Sequence, residues 1–142
     1  MRVRGRPDRA LRVALGVYVA AVALHAADHL HRGMWATPPS VAMAGRIQFV
    51  AIAVLIVLVW MRHRRAPEAA MLVGFASATL FTYAHVLPRW WDVLSDSFLS
   101  PPHQGVTWFS WLTAVAEISA GLALGATGIR SRQLGRVSHM WG

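Results

Sequence analysis

The chain has 142 residues and a net charge of +8, with 56% hydrophobic and only 14% charged residues, well below the roughly 25% charged residues of an average soluble domain. Its basic residues form short clusters between long apolar runs, a pattern that indicates a membrane protein and argues against a nucleic-acid partner. The chain has no cysteine, which excludes disulfides, cysteine-ligated zinc, cysteine-ligated iron–sulfur clusters and thiol catalysis.

Four segments have the length and hydropathy of transmembrane helices, which need about 20 residues to cross a hydrocarbon core of about 30 Å. In chain order they run over residues 10–30, 41–60, 68–87 and 106–129. Pro39 precedes the second segment, and Pro67 and Pro88 bracket the third, which suits helix boundaries. The sequence therefore predicts an all-α fold, in which residues 1–142 form one domain, an integral membrane four-helix bundle in contact with the lipid bilayer.

The arginines predict the orientation of this bundle. Eleven of the fourteen lie before the first segment or at its start, between the second and third, or after the fourth, and only Arg32, Arg46 and Arg89 lie on the opposite side. Because cytoplasmic loops carry the excess of positive charge, both termini are predicted to be cytoplasmic, in a multi-pass protein of the cell membrane.

The second exoplasmic loop, residues 89–104, is too polar to span the membrane. Its large apolar residues recur at helical spacing; they are Trp90, Trp91, Leu94 and Phe98. This spacing predicts a short amphipathic helix on the outer surface, with an irregular loop as the alternative. Asp92 and Asp96 then form either a solvated polar face or a lid over a site beneath them.

The segment from His25 to Arg32 carries the strongest candidate site. At 100° per residue, His25, Asp28, His29 and Arg32 share one helix face, about three-quarters of the way across the membrane. Two histidines at i and i+4 can bind one metal ion, and His85 on the third segment lies at a matching depth. The sequence predicts a transition-metal site, for zinc, copper or iron, formed by His25, His29 and His85, with Asp28 either as a ligand or orienting an imidazole.

Glu117 is the deepest charged residue and shares one stripe of the fourth segment with Ser110 and Thr113. If the metal is zinc and activates a water molecule, Glu117 or Asp28 is the candidate catalytic base, whereas copper or iron would allow redox chemistry. The predicted reaction is accordingly hydrolysis or oxidation of a lipid-like substrate. No ionisable residue continues from Glu117 towards the cytoplasm, which favours a one-sided site over a transport path.

Other interpretations of the same residues stay open. A histidine of the first segment and His85 could clamp haem b for electron transfer. The polar groups could form a hydrogen-bonded network, with Asp28 paired to Arg46 or Arg32, that only holds the helices together. The bundle could also bind a quinone or lipid, form a homo-oligomer, or serve as a non-catalytic accessory subunit of a larger membrane complex.

Overall fold

The computed structural model describes the backbone of residues 6–33, 36–103 and 105–140, and the side chains of residues 9–33, 36–103 and 105–134. Four α-helices account for most of these residues: α1 (Arg6–Arg32), α2 (Pro39–Trp60), α3 (Ala66–Phe81) and α4 (Trp108–Met140). A π-helical turn, Thr82–Val86, continues α3. The stretches that are long and apolar enough to cross a membrane are Arg9–Arg32, Pro39–Trp60, Ala66–Val86 and Trp108–Leu134. The prediction of an all-helical chain with four such helices is confirmed.

Prolines set three of the helix boundaries. Pro39 and Pro67 occupy the first turns of α2 and α3, where a residue without an N–H group loses no helical hydrogen bond. At the other end of α3, Leu87 has extended backbone angles (φ −85°, ψ 152°), as expected for a residue before a proline. The helical backbone of the third segment therefore stops one residue short of Pro88.

The closest packing is between α3 and α4, at facing glycines. A β-carbon built on Gly74 would lie 2.5 Å from the backbone oxygen of Gly121 and 2.6 Å from the backbone nitrogen of Gly125, so the two backbones are in direct contact. Small residues permit this approach between helices in lipid. In addition, α4 packs against α1, and α2 packs against α3 and α1.

The loop after α3 differs from the amphipathic helix predicted for it. Residues 87–103 contain no helix, Leu94 has a positive φ of 57°, and Gln104 lies outside the described residues. The backbone N–H groups of Asp96 and Phe98 instead donate to the carbonyls of Ala84 and His85, both at 2.9 Å. The loop thus caps the free carbonyls at the end of α3, and it cannot also use these N–H groups for a helix of its own.

Candidate metal centre

Three histidine side chains converge between α1 and the π-helical turn. His25 and His29 are one turn apart on α1, and their Nε2 atoms are 3.1 Å apart. The imidazole of His85 approaches that of His25 with 4.8 Å between ring centroids. One potential ligand nitrogen from each of the three lies within 4.8 Å of the others. Since a tetrahedral zinc ion holds its ligand nitrogens about 3.3 Å apart, this group could hold a metal ion after small side-chain shifts.

The group is largely shielded from solvent, and aromatic rings cover part of it. The side chains of His25 and His85 are buried, and His29 is largely buried. Phe81 contacts the ring of His25, with centroids 4.9 Å apart, and Phe98 from the loop packs on His85 at 4.8 Å. Surroundings of this kind keep imidazoles neutral, which is the form that binds metal.

The π-helical turn determines where His85 lies. The N–H of Leu87 donates to the carbonyl of Thr82 at 3.0 Å, five residues back rather than four, so one extra residue is accommodated in the last turn. Such turns recur at functional sites because they re-aim the side chains that follow. Hydropathy and helical periodicity carry no signal for this turn, and the sequence predicted only the depth of His85.

Hydrogen bonds fix the proton position on two of the three rings. The Nδ1 of His85 lies 3.2 Å from the backbone carbonyl of Asp96, which can only accept. Thr113 donates its hydroxyl proton to the carbonyl of Ser110 at 3.1 Å, so it accepts from the Nδ1 of His25 at 3.2 Å. In both neutral rings the proton is therefore on Nδ1, and Nε2 carries the free lone pair. Metal-binding histidines are oriented in this way in proteins.

His29 is held differently. Its Nδ1 lies 2.9 Å from the hydroxyl of Thr37 and 3.3 Å from Nη2 of Arg32. Because a guanidinium only donates, Nδ1 accepts here, and the Nε2–H of His29 donates to Nε2 of His25. Binding a metal at Nε2 of His29 requires its proton to move to Nδ1, where the Thr37 hydroxyl can accept it.

Asp28 lies beside the ligand group and not within it. Its Oδ1 accepts from the hydroxyl of Ser110 at 2.9 Å, and its Oδ2 lies 3.4 Å from Nε of Arg32. Arg32 also donates to the carboxylate of Asp96. Of the two arginines considered as partners for Asp28, the structure pairs it with the buried Arg32, whereas Arg46 is exposed.

The two loop aspartates have separate environments, although the sequence placed them on one helix face. Asp92 is 93% exposed. Asp96 is buried, and its Oδ2 lies 3.7 Å from Nδ1 of His85 and 4.0 Å from Nδ1 of His29. Burial raises the pKa of the Asp96 carboxyl, and the Arg32 guanidinium opposes that rise. Asp96 therefore covers the histidines and contacts two of them, which Asp92 does not.

Glu117 belongs to a second polar cluster, deeper along the helices. The Nε2 of Gln48 donates to Oε1 of Glu117 and lies 3.0 Å from both the hydroxyl of Tyr18 and that of Ser77. Glu117 is one turn beyond Thr113 on α4 and is not among the converging ligand residues. The sequence pattern did not single out Tyr18 or Ser77; their only signal is a hydroxyl at the depth of Glu117 in an otherwise apolar stretch.

Comparisons of the chain with protein-family models, curated proteins and solved structures give no match. The function must therefore be inferred from the two polar clusters themselves. The histidine group offers the clearer chemistry, since it combines three convergent nitrogen donors, burial from solvent and hydrogen bonds that orient two of the rings.

Proposed function

We propose that this protein is a multi-pass membrane protein that binds one transition-metal ion through Nε2 of His25, His29 and His85. The observation that carries the proposal is the convergence of three imidazoles, with one potential ligand nitrogen from each within 4.8 Å of the others. Nitrogen donors of this kind suit zinc, copper and iron. Hydrogen bonds from Nδ1 of His25 and His85 leave Nε2 as the free donor atom of each ring.

The charges around the histidines favour a cation. Two carboxylates, Asp28 and Asp96, flank a single guanidinium, that of Arg32, so this ion-pair network has a formal charge of −1. Three neutral imidazoles add no charge. A dication bound next to the network is therefore partly neutralised, whereas an anion would be repelled. In this proposal Asp28 contributes through its charge and through its hold on Arg32.

Ring contacts favour a bare ion over haem b. The His25 ring centroid lies 4.7 Å from that of His29 and 4.8 Å from that of His85, and the remaining pair is 5.6 Å apart. These are contact distances between rings, with no slot between the imidazoles for a porphyrin. A small ion needs only side-chain adjustments, whereas a haem clamp would require α1 and α3 to separate.

The proposed orientation follows from the arginine bias. With both termini cytoplasmic, the metal centre lies in the outer part of the membrane, beneath the loop of residues 87–103. This arrangement suits a metal loaded from outside the cell or from the lipid phase. The four helices then form a bundle in the cell membrane, with their exposed apolar residues facing lipid or a larger membrane complex.

Three protein ligands leave one coordination position for water or a substrate atom, as in catalytic zinc sites. This supports, as the activity, hydrolysis or oxidation of a lipid-like substrate that enters from the bilayer. The two candidate bases, Asp28 and Glu117, lie beside the ligand group rather than in it, so each would act on the metal-bound position through an intervening water.

The test is elemental analysis with an absorption spectrum on protein purified in detergent, without chelator or polyhistidine tag. We expect about one zinc, copper or iron ion per chain and no haem absorption band. His29→Ala and His85→Ala should lose the ion because each removes one of three ligands. His31→Ala is the matched control, since His31 is exposed on the same helix.

Each contrary result identifies an alternative. Undiminished metal in His29→Ala would rule out this ligand set. A haem band would move the function to electron transfer. Protein with neither metal nor colour would favour an accessory subunit in which the histidines only hold the helices together. The metal-free histidines can do this because their protons already form a consistent set of hydrogen bonds.

A further inference from the structure

One polar side chain from each of the four helices meets at a single point below the metal centre. Tyr18 of α1, Ser77 of α3 and Glu117 of α4 are all buried, and they surround the Nε2 of Gln48 from α2. The metal proposal makes no use of this cluster. Polar groups at this depth of apolar helices are costly unless each is paired, so an unpaired atom in the cluster is informative.

One carboxyl oxygen of Glu117 has no hydrogen-bond partner in this cluster. The Nε2 of Gln48 has two hydrogens, and three oxygens lie within 3.0 Å of it. The other carboxyl oxygen of Glu117, Oε2, is buried and has no hydrogen-bond partner. A carboxylate with one bare oxygen in an apolar interior is strongly disfavoured unless a cation or a proton neutralises it.

No cationic side chain neutralises Glu117 within the part of the chain whose side chains are described. The ion pairs among the described side chains involve four other carboxylates, those of Asp28, Glu68, Asp92 and Asp96. Facing Glu117 are a phenol from α1, an amide from α2 and a hydroxyl from α3, all neutral. A proton on Oε2 is therefore the neutralising group that the structure leaves room for.

Thr113 connects this cluster to the metal centre. Its hydroxyl accepts from Nδ1 of His25 at 3.2 Å, and Glu117 follows one helical turn later on the same face of α4, about 6 Å along the axis. Charges in an interior without water interact over longer distances than charges in solution, because they are screened less. A dication on the histidines therefore stabilises the ionised form of Glu117.

We infer that Glu117 is a proton-binding site coupled to the metal centre, which holds a proton in the metal-free protein and releases it when a divalent ion binds. This inference rests on the proposed metal-binding function. In the step, the Oε2–H bond of Glu117 breaks, its electron pair remains on the carboxylate and the proton passes to water. No electron is transferred, and the incoming dication leaves the protein one unit more positive after the proton departs.

Infrared difference spectroscopy on the full chain tests the inference, with zinc added to metal-free protein in detergent. We expect the carbonyl band of a protonated carboxylic acid before zinc and its loss after zinc. A weakly buffered titration should show proton release per zinc ion. In Glu117→Gln the band should be missing from the start, and proton release should fall by about one proton per ion, while the zinc content at saturating zinc is unchanged.

Two further variants make the test specific. Glu68→Gln is the matched control, because Glu68 is a partly exposed carboxylate paired with Arg132 at 3.2 Å; it should keep both the band and the full proton release. Ser77→Ala keeps the carboxyl and removes one neighbouring oxygen, so the band should shift in frequency and still disappear with zinc. Ser77→Ala therefore tests the inference even if Glu117→Gln does not fold.

The outcomes separate this inference from the metal proposal. Stoichiometric zinc binding with an unchanged carboxyl band would overturn the coupling and keep the metal site. Absence of the band from the metal-free wild type would show that Glu117 is ionised at rest, which overturns the inference. If zinc does not bind, and copper and iron tested in its place do not bind either, the metal proposal fails and the coupling fails with it, while the band in the metal-free protein still reports the proton on Glu117.

Discussion

The Thr113 hydroxyl determines which nitrogen of His25 is free. Its proton goes to the carbonyl of Ser110, so it can only accept from Nδ1 of His25. Without this acceptor, the imidazole can rotate or change tautomer and direct Nε2 away from the other histidines. Residues that orient a ligand from behind typically contribute 10- to 100-fold to metal affinity.

Thr113→Val should therefore weaken metal binding by roughly 10- to 100-fold while the protein stays folded, because valine has the same shape and no acceptor. Competition with a chromophoric chelator would measure the affinity. Thr127→Val is the control, since the Thr127 hydroxyl donates to the carbonyl of Ala123 at 2.7 Å within the same helix, away from the histidines. Equal affinities of the two variants would show that Thr113 does not orient a ligand.

At the scale of single residues, the shared helix face of the α1 site residues was predictable, because it follows from helix geometry alone. The spacing of His25, Asp28, His29 and Arg32 places them on one face of any α-helix, and a buried polar face has to point towards other helices. The contact between Asp96 and two histidines was not predictable. It depends on a loop that bonds to the end of α3, and no periodic pattern encodes such a path.

At the scale of helices, the glycines of α3 and α4 hold His85 in register with Thr113 and Glu117. Gly74 faces Gly121 and Gly125 with no room for a β-carbon. Because His85 follows Gly74 on the same helical path, a displacement at this crossing would shift His85 relative to α1 and α4. The close crossing therefore supports both polar clusters.

Gly74→Ala should destabilise the protein by about 2 kcal/mol, since its β-carbon would overlap backbone atoms that cannot move independently. Unfolding in mixed detergent micelles would give the free energy. Gly45→Ala is the matched control on α2, where a β-carbon would meet nothing within 4 Å; it should be neutral or stabilising by up to roughly 1 kcal/mol. Equal stability of the two variants would contradict the close crossing.

The existence of four helices and most of their bounds were predictable because hydropathy and proline positions are local properties of the sequence. The exception is the end of α4, which continues to Met140, well beyond the predicted end at residue 129. The π-helical turn and the irregular loop were not. They arise together: the turn leaves the carbonyls of Ala84 and His85 free, and the loop amides of Asp96 and Phe98 bond to them. The apolar spacing of the loop was misleading, since Phe98 is buried whereas Trp90 and Trp91 are exposed.

For the whole molecule, the distribution of arginine is the basis of the proposed orientation, and so of the side from which the proposed metal centre would be reached. Most arginines lie near the ends of the helices opposite the histidines, and the positive-inside rule assigns those ends to the cytoplasm. The loop of residues 87–103 then faces outward with its exposed tryptophans at the membrane interface. This assignment places the histidines near the outer surface and Glu117 deeper in the membrane.

Because the chain has no cysteine, single cysteines can test this orientation without background labelling. Asp92→Cys, at a position 93% exposed in the loop above the histidines, should react with a membrane-impermeant maleimide in intact cells. Arg64→Cys, at an exposed position between α2 and α3, should react only after the membrane is opened. The reverse pattern would place the metal centre on the cytoplasmic side, so that the cell interior and not the exterior would supply its ion.

Both cysteines lie outside the metal centre and the Glu117 cluster, so metal content should be unchanged in both variants, and the labelling reports topology alone.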